Sequence, residues 1–462
     1  MAPGYMESDT IAALSTPLGK GGIAVIRVSG DRTQDILAEI IEPLPDKITP
    51  RKAYHGFVRD NELHRRIDEC IVVFYHAPHS YTGEDAAEIS IHSNPFLVEE
   101  VLNLISRRFS TSVRNALPGE FTYRAFKNGK MDLIQAESVN ELINANSKYY
   151  AHMKFGSLEG RLSRFMEELK ELLIDLGVRI ETKIEFEDDP SLAEISIAGR
   201  LEEPLKRVDT LLANARFNDL LDKGLNVVIA GKVNVGKSSL FNTLLMEERS
   251  IISATPGTTR DFIREKLYID GFPVDITDVA GINRGTEDDI EAQGIRRSLQ
   301  KLASCDAVIF MLDASGPIDN TDQEIYDLIK EKKKLIIANK SDIRAPGVTD
   351  TMVARFKGEK IIDVSVKQHM NIDAVTGFLA ECAAEARGKE GDFTVNRRQK
   401  VLLEELRTVL QQVSRMVEVP SAQVEIIAED IRRAIDIIGQ LMGKITPEDI
   451  LNKIFSEFCV GK

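Results

Sequence analysis

A glycine-framed loop that ends in lysine and serine is the part of this sequence best suited to chemistry. Residues 231–238 read Gly-Lys-Val-Asn-Val-Gly-Lys-Ser and follow the apolar run 227–230. Glycines allow backbone N–H groups to curl around phosphate oxygens at the start of a helix. We therefore expect a phosphate-binding loop in which Lys237 reaches the β- and γ-phosphates and the Ser238 hydroxyl binds Mg²⁺. The alternative is a glycine-rich turn without a ligand.

Three later segments, each after an apolar run, select the nucleotide. Residues 278–281 read Asp-Val-Ala-Gly, in which Asp278 can hold Mg²⁺ through water and the Gly281 N–H can meet the γ-phosphate. Residues 339–342 read Asn-Lys-Ser-Asp, and the Asp342 carboxylate can accept two N–H bonds from guanine. Adenine would leave those oxygens unpaired. Ser365 could support the base through its backbone, so the segments together predict GTP binding.

The residue expected to position the attacking water is missing from its usual place. Many P-loop GTPases have glutamine directly after the glycine of 278–281, whereas this chain has Ile282. Hydrolysis therefore needs another water-positioning group or is very slow. The Asn234 amide oxygen could hold a monovalent cation beside the phosphates. The hydroxyl-rich stretch 253–261 is typical of a mobile switch, and we predict Thr259 as a second Mg²⁺ ligand.

The elements that must position these residues fall into three domains. From 222 to 385, apolar strand runs alternate with helical patterns, which predicts a doubly wound parallel α/β domain. Short β-branched runs in 1–120 predict a strand-rich α+β domain. Apolar residues at three- and four-residue steps in 121–221 and 386–462 predict one discontinuous helical domain, with the α/β domain inserted into it.

Composition excludes several classes of protein. The formal net charge of −14 over 462 residues argues against a broadly cationic nucleic-acid-binding surface. The four cysteines lack C-x-x-C spacing, which favours a reducing compartment and excludes the usual zinc knuckles. No signal segment or membrane-length apolar run is present, so we expect a cytoplasmic protein without a membrane partner. Composition does not exclude a local basic groove that binds nucleic acid, and the candidates for it are the arginine pairs 65–66, 107–108, 397–398 and 432–433.

From end to end, the sequence resembles the MnmE (TrmE) family of tRNA modification GTPases. The resemblance is carried by Asp-Thr-Ile at 9–11, Gly-Lys-Gly-Gly at 19–22, Arg-Val-Ser-Gly at 27–30, Tyr-Thr-Gly-Glu-Asp at 81–85, Pro-Gly-Glu-Phe at 118–121, Arg-Ala-Phe at 124–126, Gly-Thr-Thr-Arg-Asp at 257–261 and Phe-Ser-Glu-Phe-Cys-Val-Gly-Lys at 455–462. Val279 and the run His92-Ser93-Asn94 depart from the family pattern, and the second departure leaves the local shape near the expected folate site open.

The resemblance implies a GTPase that modifies C5 of the wobble uridine of tRNAs with a (carboxymethyl)aminomethyl group. It implies a homodimer that works with the flavoprotein MnmG in a heterotetramer or larger assembly. The one-carbon donor would be 5-formyl- or 5,10-methylene-tetrahydrofolate, bound by the N-terminal domain. Hydrolysis of GTP to GDP would need Mg²⁺ and K⁺, and would be coupled to association of the two G domains.

The resemblance also assigns residues to sites. Catalysis falls to Glu291, Lys237 and Asn234; Mg²⁺ to Ser238 and Thr259; K⁺ to Asn234, Ser253, Thr255 and Thr258; and folate to Arg27, Glu88, Lys130 and Lys462. The GTP-binding set is Asn234, Val235, Gly236, Lys237, Ser238, Ser239, Ser253, Ala254, Thr255, Pro256, Gly257, Thr258, Thr259, Asp278, Val279, Ala280, Gly281, Asn339, Lys340, Asp342 and Ser365. Without the family, each folate residue reads as a solvated surface charge, and Glu291 as an acidic residue at a helix start.

Cys459 has two interpretations of equal weight. Its thiol could do covalent work on a one-carbon unit or a uridine. It could equally be a small, buried apolar side chain.

For the whole protein, the competing functions are a regulatory GTP switch that docks on a ribosome or assembly intermediate, and a purely structural dimer. A switch would need no folate pocket, and a structural dimer would not need Asn-Lys-Ser-Asp at 339–342.

Overall fold

The fold is seen in a computed structural model of the chain, which describes residues 9–145, 147–185, 198–248, 267–269, 271–278, 302, 304–387, 394–418 and 424–462. The chain divides into two compact units. Unit 1 comprises Met1–Asn144, Lys154–Asp209 and Val401–Lys462, and unit 2 comprises Ala145–Met153 and Thr210–Lys400. The boundaries that we predicted for three domains stay a prediction.

The N-terminal part of unit 1 is a seven-stranded sheet covered on one face by two helices. Its strands lie in the order β3-β4-β5-β6-β2-β1-β7, and only the β1–β7 pair is parallel. The elements are β1 (Thr10–Leu14), β2 (Gly21–Ser29), α1 (Thr33–Ile40), β3 (Ile41–Glu42), β4 (Ala53–Asp60), β5 (Arg65–Tyr75), β6 (Ala86–Ser93), α2 (Pro95–Arg108) and β7 (Val113–Asn115). Inward residues such as Ile26, Val72 and Leu104 form one apolar core, which confirms the predicted strand-rich domain.

Helices follow the sheet in the described residues 120–145, 147–185 and 198–223. They are α3 (Glu120–Lys127), α4 (Leu133–Ile143), α5 (Lys148–Leu158), α6 (Arg161–Glu185) and α7 (Ala198–Lys223). Helix α4 begins with a capping box in which Asp132 accepts the Gln135 N–H and Gln135 accepts the Asp132 N–H. The buried stripe of α6, with Leu169, Leu173 and Leu176, matches the predicted helical spacing.

Unit 2 contains a six-stranded sheet in the order β13-β12-β11-β8-β10-β9, in which only β9 is antiparallel to its neighbour. Its elements are β8 (Leu225–Gly231), α8 (Lys237–Glu248), β9 (Leu267–Ile269), β10 (Phe272–Asp278), β11 (Ala307–Asp313), α9 (Asn320–Ile329), β12 (Lys334–Asn339), a 3₁₀-helix (Ser341–Ile343), α10 (Val348–Arg355), β13 (Ile361–Asp363) and α11 (Asp373–Arg387). Helices α8 and α11 cover one face and α9 and α10 the other. The doubly wound α/β prediction is therefore confirmed.

The parallel register brings the functional segments to one edge of this sheet. Gly231 lies beside Met311 on β11, and Asp313 lies beside Asn339 on β12. Asp278, the last residue of β10, lies beside Ile229 on β8. In open α/β sheets, ligands bind outside the carboxyl ends of the strands. The phosphate loop and the Asn-Lys-Ser-Asp segment both start at that edge.

The described ranges 394–418 and 424–462 contain three helices: α12 (Arg397–Val417), α13 (Val424–Met442) and α14 (Glu448–Ser456). Helices α13 and α6 pack against each other in unit 1, with the side chain of Ile431 beside Gly177 of α6. The rest of the buried α13 face includes Ile427, Ala434 and Ile438. The helical segments before and after unit 2 therefore share one core, as a discontinuous helical domain requires.

Candidate functional site

The phosphate loop depends on three residues with positive φ. Gly231 has φ 154°, Asn234 has φ 61° and Gly236 has φ 106°. A side chain at Gly231 would lie 2.5 Å from the Met311 carbonyl oxygen, and one at Gly236 would collide with the Asn339 amide. Asparagine tolerates the left-handed conformation better than most residues. The loop therefore needs glycine at both ends to avoid these collisions with Met311 and Asn339.

Lys237 opens helix α8 with its ammonium group held over the loop. Its Nζ donates to the carbonyl oxygens of Gly231, at 3.1 Å, and of Lys232, at 2.9 Å, and the side chain is buried. Ser238 and Ser239 are exposed in the first turn of α8. The lysine predicted to meet the β- and γ-phosphates is thus fixed by the loop's own backbone, beside the hydroxyl predicted to bind Mg²⁺.

Asn339 ties the phosphate loop to the segment expected to recognise guanine. Its Nδ2 donates to the Val235 carbonyl oxygen at 2.7 Å, and its Oδ1 accepts the Val366 N–H at 3.1 Å. The Asn339 side chain is buried, as are both partners. A single amide therefore holds together the phosphate loop, the end of β12 and the chain after β13.

The expected base-binding residues are arranged around Asp342. Its Oδ1 accepts a hydrogen bond of 2.7 Å from the fully buried Ser365 hydroxyl, which itself accepts the Gln368 N–H at 3.2 Å. The sequence suggested that Ser365 acts through its backbone, and the structure adds this side-chain contact. The Asp342 carboxylate is exposed, so it is oriented yet accessible to a base.

Lys340 lies between these groups in the left-handed conformation, with φ 64°. Its Nζ donates to Asp313 Oδ2 at 2.6 Å. Burial raises the pKa of Asp313, but hydrogen bonds from Lys340 and Ser315 outweigh this and leave the pKa below its usual value. The carboxylate at the end of β11 therefore stays ionised and holds Lys340 at the edge of the site.

Several predicted residues lie outside the described part of the chain: Ser253, Ala254, Thr255, Pro256, Gly257, Thr258, Thr259, Val279, Ala280, Gly281 and Glu291. They include the second Mg²⁺ ligand, three of the four K⁺ ligands and the catalytic glutamate. Those roles stay predictions.

A second site is centred on Arg27 and Glu88, which face each other across β2 and β6. The Arg27 Nη2 lies 2.8 Å from Glu88 Oε1, and the Tyr75 hydroxyl donates to Glu88 Oε2 at 3.4 Å. The Arg27 guanidinium also lies over two aromatic rings, 5.4 Å from the centroid of Tyr81 and 5.8 Å from that of Phe121. Sequence reasoning assigned these rings no role, although both lie in motifs that carried the family resemblance.

The end of the chain completes this second site. Phe121 N–H donates to the Lys462 carbonyl oxygen at 3.2 Å, and the Ser15 hydroxyl donates to that of Gly461 at 3.0 Å. Burial lowers the pKa of Lys462, and the nearby positive charge of Arg27 lowers it further, while Glu88 opposes both effects. Three of the four predicted folate residues are therefore close enough to interact electrostatically.

Lys130 lies instead beside the loop that carries Tyr81. Its Nζ donates to the Pro78 carbonyl oxygen at 2.9 Å, and its stem contacts Gly83. The fourth predicted folate residue therefore reaches the second site through the 78–83 loop rather than through Arg27 or Glu88.

Cys459 is exposed, so the interpretation of a buried apolar side chain is wrong. The reason is that the neighbouring Phe455 and Phe458 pack into an apolar cluster, whereas Cys459 lines a cavity. The cavity has a volume of about 920 Å³, and its lining includes 12–18, Leu102, Cys459 and Lys462. The thiol therefore has access to the same neighbourhood as Lys462.

A buried ion network supports the Tyr81 loop. Arg124 is 4% exposed, and its guanidinium lies 2.7 Å from Asp9, 3.0 Å from Glu120 and 3.2 Å from Glu84. The Tyr81 hydroxyl is fixed by the Thr122 hydroxyl of α3 at 2.9 Å. The network therefore holds the 81–85 loop, the start of β1 and helix α3 in one arrangement.

In three of the arginine pairs proposed as nucleic-acid contacts, five of the six arginines face carboxylates. Arg107 lies 2.6 Å from Asp60 and Arg433 lies 2.7 Å from Glu405. The other ion pairs include Arg65 with Glu100, Arg108 with Glu62 and Arg432 with Glu181. Arg66 instead stacks on the Phe57 ring at 4.1 Å. The surface that contacts tRNA stays a prediction. These ion pairs do not favour the arginine pairs 65–66, 107–108 and 432–433 as that surface.

Two observations bear on the other expectations. The cysteines Cys70, Cys305 and Cys382 are buried, and all four cysteines, each within the described ranges, are free thiols. Among the described helices, none has both the length and the apolar character required to cross a membrane.

Comparison with known proteins shows the family to which the chain belongs. Residues 10–130 match the family described as the GTP-binding protein TrmE N-terminus, and residues 133–459 match the MnmE helical domain. The tRNA modification GTPase MnmE of Aquifex aeolicus (strain VF5) is 38% identical over 456 residues, covering 98% of this chain and 100% of that protein. The protein of the same name from Syntrophus aciditrophicus (strain SB) is 38% identical over 465 residues, covering 99% and 100% respectively. This chain therefore belongs to the MnmE family of tRNA modification GTPases.

Proposed function

We propose that this protein is a GTP hydrolase whose cycle drives modification of the wobble uridine of tRNA. It acts with the flavoprotein MnmG and adds a (carboxymethyl)aminomethyl group to C5, using a tetrahydrofolate as one-carbon donor. The observation that carries the proposal is that Arg27, Glu88 and Lys462 interact in unit 1 beside an exposed cysteine. A regulatory GTP switch would have no use for that arrangement.

Nucleotide binding is supported by the geometry of unit 2. The phosphates bind to the loop 231–238 and Lys237, while guanine binds to Asp342 with Ser365 behind it. Mg²⁺ fits the exposed hydroxyl of Ser238 and the acidic strand end at Asp278, because hard cations prefer oxygen ligands. The ion would neutralise charge on the phosphates, and Thr259 would be its second protein ligand.

Folate binding is supported by complementary charge at the second site. Glu88 accepts N–H donors from the pterin edge, while Lys462 and Lys130 meet the carboxylates of the glutamate tail. The rings of Tyr81 and Phe121 hold the Arg27 guanidinium in place through cation–π contacts. An exposed Cys459 at the cavity rim can reach the one-carbon unit or the uridine.

Hydrolysis is proposed to require K⁺ and a second copy of the chain. The Asn234 amide lies in the exposed part of the phosphate loop, where a monovalent cation can contact it. Ser253, Thr255 and Thr258 would supply its other ligands, and Glu291 would position the water in place of Ile282. Association of two G domains would complete the site without an arginine from another protein.

The experiment is reconstitution of tRNA modification with the full chain, MnmG, tRNA, GTP, 5,10-methylene-tetrahydrofolate as the carbon donor and glycine as the amine that supplies the nitrogen, in K⁺ and in Na⁺ buffers. We expect modified uridine only with all components, and GTP turnover that is much faster in K⁺. Arg27→Ala should abolish binding of 5-formyl-tetrahydrofolate and modification while leaving GTP turnover intact. Folate binding that survives this substitution would overturn the folate assignment, and absence of uridine product in the complete mixture would overturn the proposed function.

A further inference from the structure

The side chain of Lys232, the second residue of the phosphate loop, is tied to the start of helix α9. Its Nζ lies 2.8 Å from Asp322 Oδ2 and 3.1 Å from Asp319 Oδ2. It also donates to the Pro317 carbonyl oxygen at 3.3 Å. These partners lie more than 80 residues further along the chain, in the loop before α9 and in its first turn, outside the nucleotide motifs predicted from sequence.

The two carboxylates that hold the Lys232 ammonium belong to the capped start of helix α9. Asp319 caps α9 by accepting the Thr321 N–H, while the Asp322 carboxylate returns to accept the Asp319 N–H at 3.0 Å. Asp322 is fully buried, and α9 packs against the sheet through Ile325 and Ile329. Reciprocal capping of this kind fixes a helix start. The Lys232 ammonium is therefore held by two carboxylates whose own positions are determined.

The backbone of the same residue holds the phosphate-binding lysine. The Lys232 carbonyl oxygen accepts the Lys237 Nζ at 2.9 Å, and the neighbouring Gly231 oxygen accepts it at 3.1 Å. A shift of the Lys232 backbone would therefore shift the Lys237 ammonium. Small misplacements of a positioned charge weaken binding and catalysis strongly.

We propose that Lys232 is a positioning residue of the nucleotide site. Its ion pairs with Asp322 and Asp319 anchor the leading half of the phosphate loop to α9, and its carbonyl oxygen thereby places Lys237 against the β- and γ-phosphates. Lys232 acts through Lys237, so its loss weakens GDP and GTP alike and lowers turnover without changing selectivity for guanine.

The test uses the full chain and compares Lys232→Met with Lys232→Arg. The matched control is Lys334→Met, because Lys334 is also partly buried and paired, 2.8 Å from Glu359, but lies at the opposite end of the sheet. A milder variant is Asp319→Asn, since asparagine caps helices as well as aspartate but does not attract an ammonium. Affinity is measured by fluorescence titration of a labelled GDP, and stability by thermal unfolding without nucleotide.

We expect Lys232→Met to weaken GDP binding about tenfold, equivalent to about 1.4 kcal/mol. Lys232→Arg should stay within about threefold of the parent because it restores the charge, and Asp319→Asn should weaken binding about two- to threefold. Lys334→Met should lower the unfolding temperature but leave GDP affinity unchanged. The proposal fails if Lys232→Met binds GDP as the parent does, or if Lys334→Met weakens GDP binding equally. Should Lys232→Met not fold, an unchanged affinity in Asp319→Asn overturns it.

Discussion

Replacing Asn339 with alanine tests the amide that joins the phosphate loop to the base-binding segment. The change leaves the Val235 carbonyl and the Val366 N–H without their side-chain partner, and both residues are buried. Each buried polar group left unpaired costs about 1–3 kcal/mol, so we expect a loss of about 2–6 kcal/mol for the pair. For a unit of this size, that corresponds to an unfolding temperature lower by about 5–20 °C.

The assay is thermal unfolding of the full chain with and without GDP. The transition that GDP shifts upward identifies the nucleotide-binding unit, because a ligand stabilises only the state it binds. Asn320→Ala is the control: the Asn320 side chain is exposed and accepts one bond, from Arg355, so the cost should stay within about 0.5 kcal/mol. We also expect Asn339→Ala to weaken GDP binding by about tenfold or more. An unfolding transition within about 2 °C of the parent, with unchanged GDP affinity, would refute the reasoning.

Three further predictions concern unit 1. Arg124→Met leaves buried acidic partners uncompensated and should cost about 3 kcal/mol or more in urea unfolding, whereas the exposed Arg432→Met should cost less than about 1 kcal/mol; equal effects would argue against the buried network. The hydrogen bond that the His92 ring donates to the Asp68 carboxylate raises the pKa of His92 above 6.5, so this pair stabilises the fold below that pH and the stabilisation is lost as pH rises through the raised value. Asp68→Asn should therefore lower the His92 midpoint in an NMR titration, and an unmoved midpoint would contradict the assignment. Because burial lowers the pKa of Lys462, a folate carboxylate beside it should cause proton uptake at alkaline pH; binding heats that do not depend on the buffer's ionisation enthalpy would speak against this.

The six-stranded sheet of unit 2 could be predicted from the sequence because its strands are buried on both faces. Such strands appear as continuous apolar runs, and the runs 227–230 and 307–312 lie within β8 and β11. In the N-terminal sheet, by contrast, β4 was missed. One face of β4 and β5 is partly solvated, so His55, Phe57 and Glu69 mix with buried residues and obscure the alternation.

Contacts between residues far apart in the sequence could not be predicted from local sequence patterns. No spacing in 231–238 indicates that Lys232 meets a carboxylate 90 residues later, because the contact depends on how α9 packs under the sheet. The meeting of Lys462 with Arg27 and Glu88 could be expected only from the family resemblance. Even then, the exposure of Cys459 was undecided, since it depends on how the end of the chain packs after Phe458.

The phosphate loop is anchored by contacts within the protein, which limits what the loop itself can sense. Asn339, Lys232 and the two loop glycines fix the backbone around Lys237. Preorganisation of this kind favours GDP and GTP equally, and a ligand shifts a conformational equilibrium only by its differential affinity for the two states. The groups that distinguish GTP must therefore contact the γ-phosphate or its Mg²⁺ from elsewhere, and the sequence predicts Gly281 for the first role and Thr259 for the second. Variants of Asn339 and Lys232 should accordingly weaken both nucleotides by the same factor and leave their affinity ratio unchanged.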